Sequence, residues 1–243
     1  MIQLKNLKKS FKQIEAVKGI SFEVMQGEIF GLLGENGAGK TTTLRMLATM
    51  LQPTGGTAEV AGYDIVTDPE KVRGEIGILF GGEMGLYDRL TAKENIKYFA
   101  ELNDMKNEDI ENRVSYLVDI LDMKEYVNRR VGKFSKGMKQ KVAIARSIIH
   151  NPQVMLFDEP TSGLDVTSAR IVHDFIRSCK EEGKTIIFSS HSMKEVEKLC
   201  DRIGIIHKGE MVDIGTIEEL KRKHDDEDLE EVFMKLVGEK NEA

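Results

Sequence analysis

The chain is poor in cysteine: its 243 residues hold two, Cys179 and Cys200. Two thiols cannot build a disulfide framework, so both read as buried or incidental thiols in a reducing compartment. Long apolar runs are missing as well, and none approaches the roughly 20 residues needed to cross a bilayer. The start, Met1-Ile2-Gln3-Leu4-Lys5, lacks the long apolar stretch of a secretory signal. The expected location is therefore cytoplasmic, unless a partner carries the chain to a membrane surface. Positive charge is not in excess either. The net charge of -6 gives no electrostatic footprint for nucleic acid. Internal repeats and low-complexity linkers are absent.

What remains is an ordinary globular composition, 40% hydrophobic and 31% charged, which argues against disorder. The length suits one domain with an inserted or appended subdomain. Segments of strand type and helix type alternate, as in an α/β protein with a mostly parallel sheet. Glu28 to Leu33, Val154 to Phe157 and Thr185 to Phe188 are short apolar runs suited to a sheet covered on both faces. From about Leu86 to about His150 the pattern becomes helical. Thr91 and Glu94 have capping-box spacing before a face of Ala92, Ile96, Phe99 and Ala100. Ile110, Val114, Leu117, Val118 and Leu121 form a second stripe. After Asp225-Asp226-Glu227-Asp228, read as a solvated acidic face, Leu229, Val232, Phe233 and Leu236 mark a last amphipathic helix.

Gly34-Glu35-Asn36-Gly37-Ala38-Gly39-Lys40-Thr41, with Thr42 next, fits the G-x-x-x-x-G-K-[ST] pattern between a strand and a helix. After it, Leu44, Leu47, Ala48 and Leu51 recur at helical spacing. Small residues let backbone N–H groups wrap a phosphate, and the helix N-terminus favours negative charge. Lys40 suits β- and γ-phosphate oxygens, and the Thr41 hydroxyl suits Mg²⁺. The apolar run at Val154 ends in Asp158-Glu159. Asp158 is placed to partner Mg²⁺ directly or through an intervening group. Glu159, one residue further, is placed to reach a water attacking the γ-phosphate. Alone, the pair would read as a solvated turn before Pro160; the phosphate loop reverses that preference.

Four further segments narrow the class. Phe134-Ser135-Lys136-Gly137-Met138 opens a helix, Ser162-Gly163-Leu164-Asp165 follows the acidic pair, His191 sits past a strand, and Phe11 precedes the first strand pair. In this order they resemble the nucleotide-binding domain of ABC transporters over essentially the whole chain. The resemblance implies a P-loop NTPase (RecA-like) core with an antiparallel β-subdomain, an inserted α-helical subdomain and a short C-terminal helical extension. The segments expected are 1–85 and 151–220 for the core, 86–150 for the helical subdomain, and 221–243 for the acidic extension.

It also implies ATP and Mg²⁺ as ligands, and a second copy of the chain in a head-to-tail dimer. Ser135 and Gly137 would then touch the γ-phosphate held by the partner, while Ser135 serves equally as a plain N-cap. His191 would sense the γ-phosphate, Asp165 would lie at the dimer seam, and Phe11 would stack on adenine or else fill the core. Two departures stand out. Lys136 and Met138 do not match the family's Leu-Ser-Gly-Gly-Gln. Gly81-Gly82-Glu83 replaces the glutamine expected after the strand Ile76 to Phe80, and Glu83 either stands in as an oxygen ligand for the metal or leaves that role empty.

These departures and the ending Asp228 to Phe233 are similar to ATPase subunits of the ABC-2 export class, sodium-efflux subunits among them. The expected function is ATP hydrolysis driving export through a separate integral permease, with the chain peripheral on the cytoplasmic membrane face and never inserted. The alternatives are a non-transport ABC ATPase and a nucleotide-binding regulator with weak hydrolysis.

Overall fold

A computed structural model describes residues 1–80 and 85–242, with side chains described through Gly238. Among the described residues ten strands form two sheets. The antiparallel sheet has the order β2-β1-β4-β5, from β1 (Ile2–Phe11), β2 (Ile14–Val24), β4 (Gly55–Val60) and β5 (Tyr63–Asp64). The second has the order β10-β9-β3-β8-β7-β6, from β3 (Ile29–Leu33), β6 (Ile76–Leu79), β7 (Val154–Asp158), β8 (Thr185–Ser190), β9 (Arg202–His207) and β10 (Glu210–Gly215). All its pairings are parallel except β9 with β10. The helices are α1 (Lys40–Leu47), α2 (Pro69–Glu75), α3 (Ala92–Leu102), α4 (Asn107–Ile120), α5 (Lys136–Ser147), α6 (Val166–Glu181), α7 (Met193–Leu199), α8 (Ile217–Lys223) and α9 (Leu229–Glu242).

Every residue of β3, β7 and β8 is buried, as continuous apolar runs in a doubly covered sheet should be. The two-residue period of a strand sorts β3 onto two cores. Phe30 and Leu32 face the antiparallel sheet and α1, and Phe22 stacks on Phe30 with centroids 5.0 Å apart. Ile29 and Leu33 face the helical side, with α3 to α7 and α9. Gly31 lies on that side, where an added Cβ would come within 2.6 Å of Cys200 Sγ, so α7 sits directly on the strand.

The expected strands and helices are present with small shifts. Glu28 lies one residue before β3; its carbonyl still accepts from the Ile186 N–H at 2.9 Å, and its carboxylate accepts from the Met25 N–H at 2.6 Å and from Arg202 at 3.2 Å. Phe80 lies just past β6, half-buried, with the Arg45 guanidinium over its ring. The helix after the glycine-rich loop stops at Leu47, so Leu51 is not on its face. Thr49 turns left-handed (φ 59), and the Met50 and Leu51 N–H groups both bond the Arg45 carbonyl. This is the usual glycine-type helix stop, made here by threonine. The side chains of Leu229, Val232, Phe233 and Leu236 are buried in the helical core, so α9 packs on its own chain. Phe11 ends β1 and pairs with Ile14 across the first hairpin, rather than preceding the strand pair.

At the start of α3 the capping box is complete. The Thr91 hydroxyl accepts from the Glu94 N–H at 3.1 Å, and Glu94 accepts from the Thr91 N–H at 2.7 Å. Thr91→Ala should cost about 1 kcal/mol of stability. Urea unfolding should show it as a lower midpoint with an unchanged slope.

Candidate functional site

Parallel pairing puts the ends of three strands side by side. Leu33 pairs with Ser190 and Asp158 with Ser189, so the loops leaving β3, β7 and β8 open at one edge, where α/β sheets place ligands. Gly34 to Gly39 leave β3 and turn into α1. Gly37 and Gly39 have φ 83 and 112, a backbone that side chains resist. A Cβ on Gly39 would also approach the Ala16 carbonyl to 2.7 Å, and one on Gly34 would drive into the Ile206 carbonyl. The Ala38 carbonyl accepts from the Gly209 N–H at 2.9 Å, so the β9–β10 turn supports the loop from below.

The loop encloses a cavity of about 220 Å³ lined by Ala16, Glu35, Asn36, Gly37, Gly39, Lys40, Thr41, Thr42 and Glu159. Lys40 is buried there, and its Nζ donates to the Gly34 carbonyl at 2.6 Å and the Glu35 carbonyl at 3.1 Å. Burial pushes the ammonium below its ordinary pKa, against the opposing charges of Glu159, Asp158 and Glu35. The first N–H groups of α1 have no helical partner, which suits a polyanion.

Asp158 is buried at the end of β7 and accepts from Thr41 Oγ1 at 2.8 Å and from Ser189 Oγ. A hydroxyl and a carboxylate in contact are the hard oxygen donors Mg²⁺ takes, one or two from protein and the rest from phosphate and water. Among the described residues there is no cluster of three or more His, Cys, Asp or Glu placed to hold a metal. Glu159 Oε1 lies 3.8 Å from Lys40 Nζ and 3.1 Å from His191 Nδ1. Its backbone is left-handed (φ 47), which costs a non-glycine residue about 1–3 kcal/mol. The Glu159 N–H bonds the Ser189 carbonyl at 3.2 Å and Ser189 Oγ at 3.1 Å, which holds it there.

The structure therefore brings together the phosphate loop, Thr41, Asp158, Glu159 and His191. Phe11, Ser135 and Gly137 do not line the cavity. Phe11 is 44% exposed with Lys9 Nζ 5.1 Å from its ring centre, which rules out the core-filling alternative. Ser135 caps α5, accepting from the Met138 N–H at 3.2 Å. Gly137 is buried against α6, where a Cβ would stand 2.5 Å from Ser168 Oγ. Lys136 lays its ammonium over Gly163. Asp165 caps α6 through the Ser168 N–H at 2.9 Å. Glu83 lies outside the described residues. Sequence reasoning missed Ala16, Ser189 and Gly209; of these only the Lys208-Gly209 turn leaves a local signal.

A mostly parallel sheet with a glycine-rich phosphate loop, a buried aspartate at a strand end and a glutamate beyond it defines a P-loop nucleoside triphosphatase. A family model described as "ABC transporter" matches residues 17–162. The chain is 52% identical to the "ABC transporter ATP-binding protein NatA" of Bacillus subtilis (strain 168), over 93% of this chain and 92% of that protein. It is 39% identical to the "Linearmycin resistance ATP-binding protein LnrL" of the same organism, over 89% of this chain and 69% of that one. Among solved structures, it matches the "dimeric structure of a post-hydrolysis state of the ATP-binding cassette MJ0796 bound to ADP and Pi". That match has a TM-score of 0.80 and 27% identity, covering 89% of this chain and 99% of the other. The chain belongs to the ABC transporter family, as an ATP-binding subunit with ATPase activity.

Gly39→Ala should lower ATP affinity about tenfold or more, since both its φ and its contact with the Ala16 carbonyl resist a side chain. Titration with a fluorescent ATP analogue measures it.

Proposed function

We propose that the chain is one half of a paired motor that hydrolyses ATP to drive export through a separate integral permease of the ABC-2 class. The carrying observation is the convergence of Lys40, Thr41, Asp158 and Glu159 at one strand edge. In this reading Lys40 exchanges its carbonyl partners for β- and γ-phosphate oxygens, and the N–H groups of Gly37 to Thr42 wrap the phosphates. Thr41 and Asp158 would hold Mg²⁺, which when bound would supply neutralisation of developing phosphate charge. Glu159 accepts a proton from the attacking water. The water oxygen bonds the γ-phosphorus while the bond to the bridging oxygen breaks, and ADP leaves with that electron pair. His191 holds the Glu159 carboxylate from its far side and senses the γ-phosphate.

A second copy, docked head to tail, completes the site. The dimeric cassette to which the chain is similar supports this pairing. So does the position of Ser135 and Gly137, away from the chain's own cavity and beside the α6 cap. Phe11 is proposed to stack on adenine, which its exposed ring permits. Among the described residues no helix is long and apolar enough to cross a membrane, and in this reading the permease supplies the path. The chain would then work at the cytoplasmic face of that permease. The likeness to a linearmycin resistance protein supports the export direction. The cargo we place first is the sodium ion, on the resemblance to sodium-efflux subunits.

Glu159→Gln should bind ATP normally, lose turnover about 100-fold or more, and accumulate as an ATP-bound dimer. Phosphate release and light scattering read these out, and retained turnover removes Glu159 from the role. Membrane vesicles carrying the chain with its permease should expel radiolabelled sodium only with hydrolysable ATP. Sodium-independent behaviour with transport of another solute would discard the sodium assignment.

A further inference from the structure

Glu195 lies on α7, four residues past His191, and is 8% exposed. Both its oxygens are occupied. Oε1 accepts from Thr161 Oγ1 and lies 2.9 Å from His173 Nε2, while Oε2 accepts from Ser190 Oγ at 2.6 Å. Ser190 Oγ in turn accepts from the Ser192 N–H at 3.0 Å. These donors come from three separate segments: Thr161 from the loop after Glu159, Ser190 from the residue before His191, and His173 from α6. Burial alone would raise the pKa of this carboxyl, but hydrogen bonds from His173, Ser190 and Thr161 hold it below the ordinary value. A charge so buried is retained only where it is bonded, and here three side-chain groups bond it.

Glu195 does not line the phosphate cavity. It lines a neighbouring one of about 410 Å³, together with Glu159 and His191. We propose that Glu195 is a positioning residue for hydrolysis, bracing the Glu159 loop against the His191 loop so that their 3.1 Å contact persists through turnover. The brace acts on Glu159 from beyond its loop, and Ser189 acts from the strand side. Through His173 it also reaches α6, whose Ser168 abuts Gly137 on α5. Removing it leaves the phosphate loop, and hence ATP binding, untouched, while the reacting groups lose their mutual register. Misplacement of such groups by about 1 Å costs on the order of 100-fold in rate. The proposal rests on the role assigned to Glu159.

The test is steady-state ATPase kinetics on the full chain. Glu195→Gln keeps the side-chain size but not the charge. It should lower kcat about tenfold or more, with KM for ATP held within about twofold. Thr161→Val should do the same, and Thr161→Ser, which keeps the hydroxyl, should restore kcat. The Thr161 pair decides the matter if Glu195→Gln fails to fold. Wild-type kcat in Thr161→Val, or in folded Glu195→Gln, overturns the proposal, as does a rise in KM that accounts for the lost activity. Glu159→Gln in the same assay separates the two readings. If it is inactive while the Glu195 and Thr161 variants are fully active, only the brace is refuted. If it is active, the assignment of Glu159 falls and the brace with it.

Discussion

Thr41 donates to Asp158 at 2.8 Å, and in that contact the first residues of α1 meet the end of β7. The two lie 117 positions apart in the chain and touch only because β3, β8 and β7 pair in one register. A slip of one residue would turn every side chain to the opposite face and separate them. Asp158 and Lys40 are both buried, so each would be costly alone. The carboxylate is offset by two hydroxyls and the ammonium by two carbonyls. These are partners that an incoming phosphate and cation are able to replace in kind.

The sheet that sets this register is held from both sides. Alternate residues of β3 enter different cores, so the strand under the phosphate loop is fixed by the antiparallel sheet on one face and by helices on the other. Interiors packed to crystal-like density transmit displacement rather than absorb it. The loops at the strand ends therefore begin from a rigid base. Their remaining freedom is removed locally, by Gly209 beneath Ala38 and by Ser189 beside Glu159.

Much of this was legible in the sequence because it is written locally. The phosphate loop, the apolar strands and the Thr91 box each lie within a few residues and carry their own chemistry. The contacts that fix the site are a different matter. Ala16 and Ser189 act through a backbone carbonyl and a short hydroxyl brought in by topology, which no spacing rule marks, and Lys208-Gly209 is legible as a turn but not as a support for the phosphate loop. Helix α1 ends at Leu47 with Thr49 in the left-handed position beyond it, where the local signal for a stop is normally glycine, so its apolar period seemed to run on to Leu51. Phe11 sits in a hairpin with its ring in solvent, whereas an aromatic in a strand is more often packing.

The left-handed backbone at Glu159 sets stability against work. Asparagine or glycine adopts that conformation at lower cost, so replacement by either would relax the turn while removing the carboxylate. Drift at this position thus has a downhill direction for the fold and an uphill one for the motor. The glutamate is a residue that folding alone would not choose, and its persistence in a lineage would record selection on turnover.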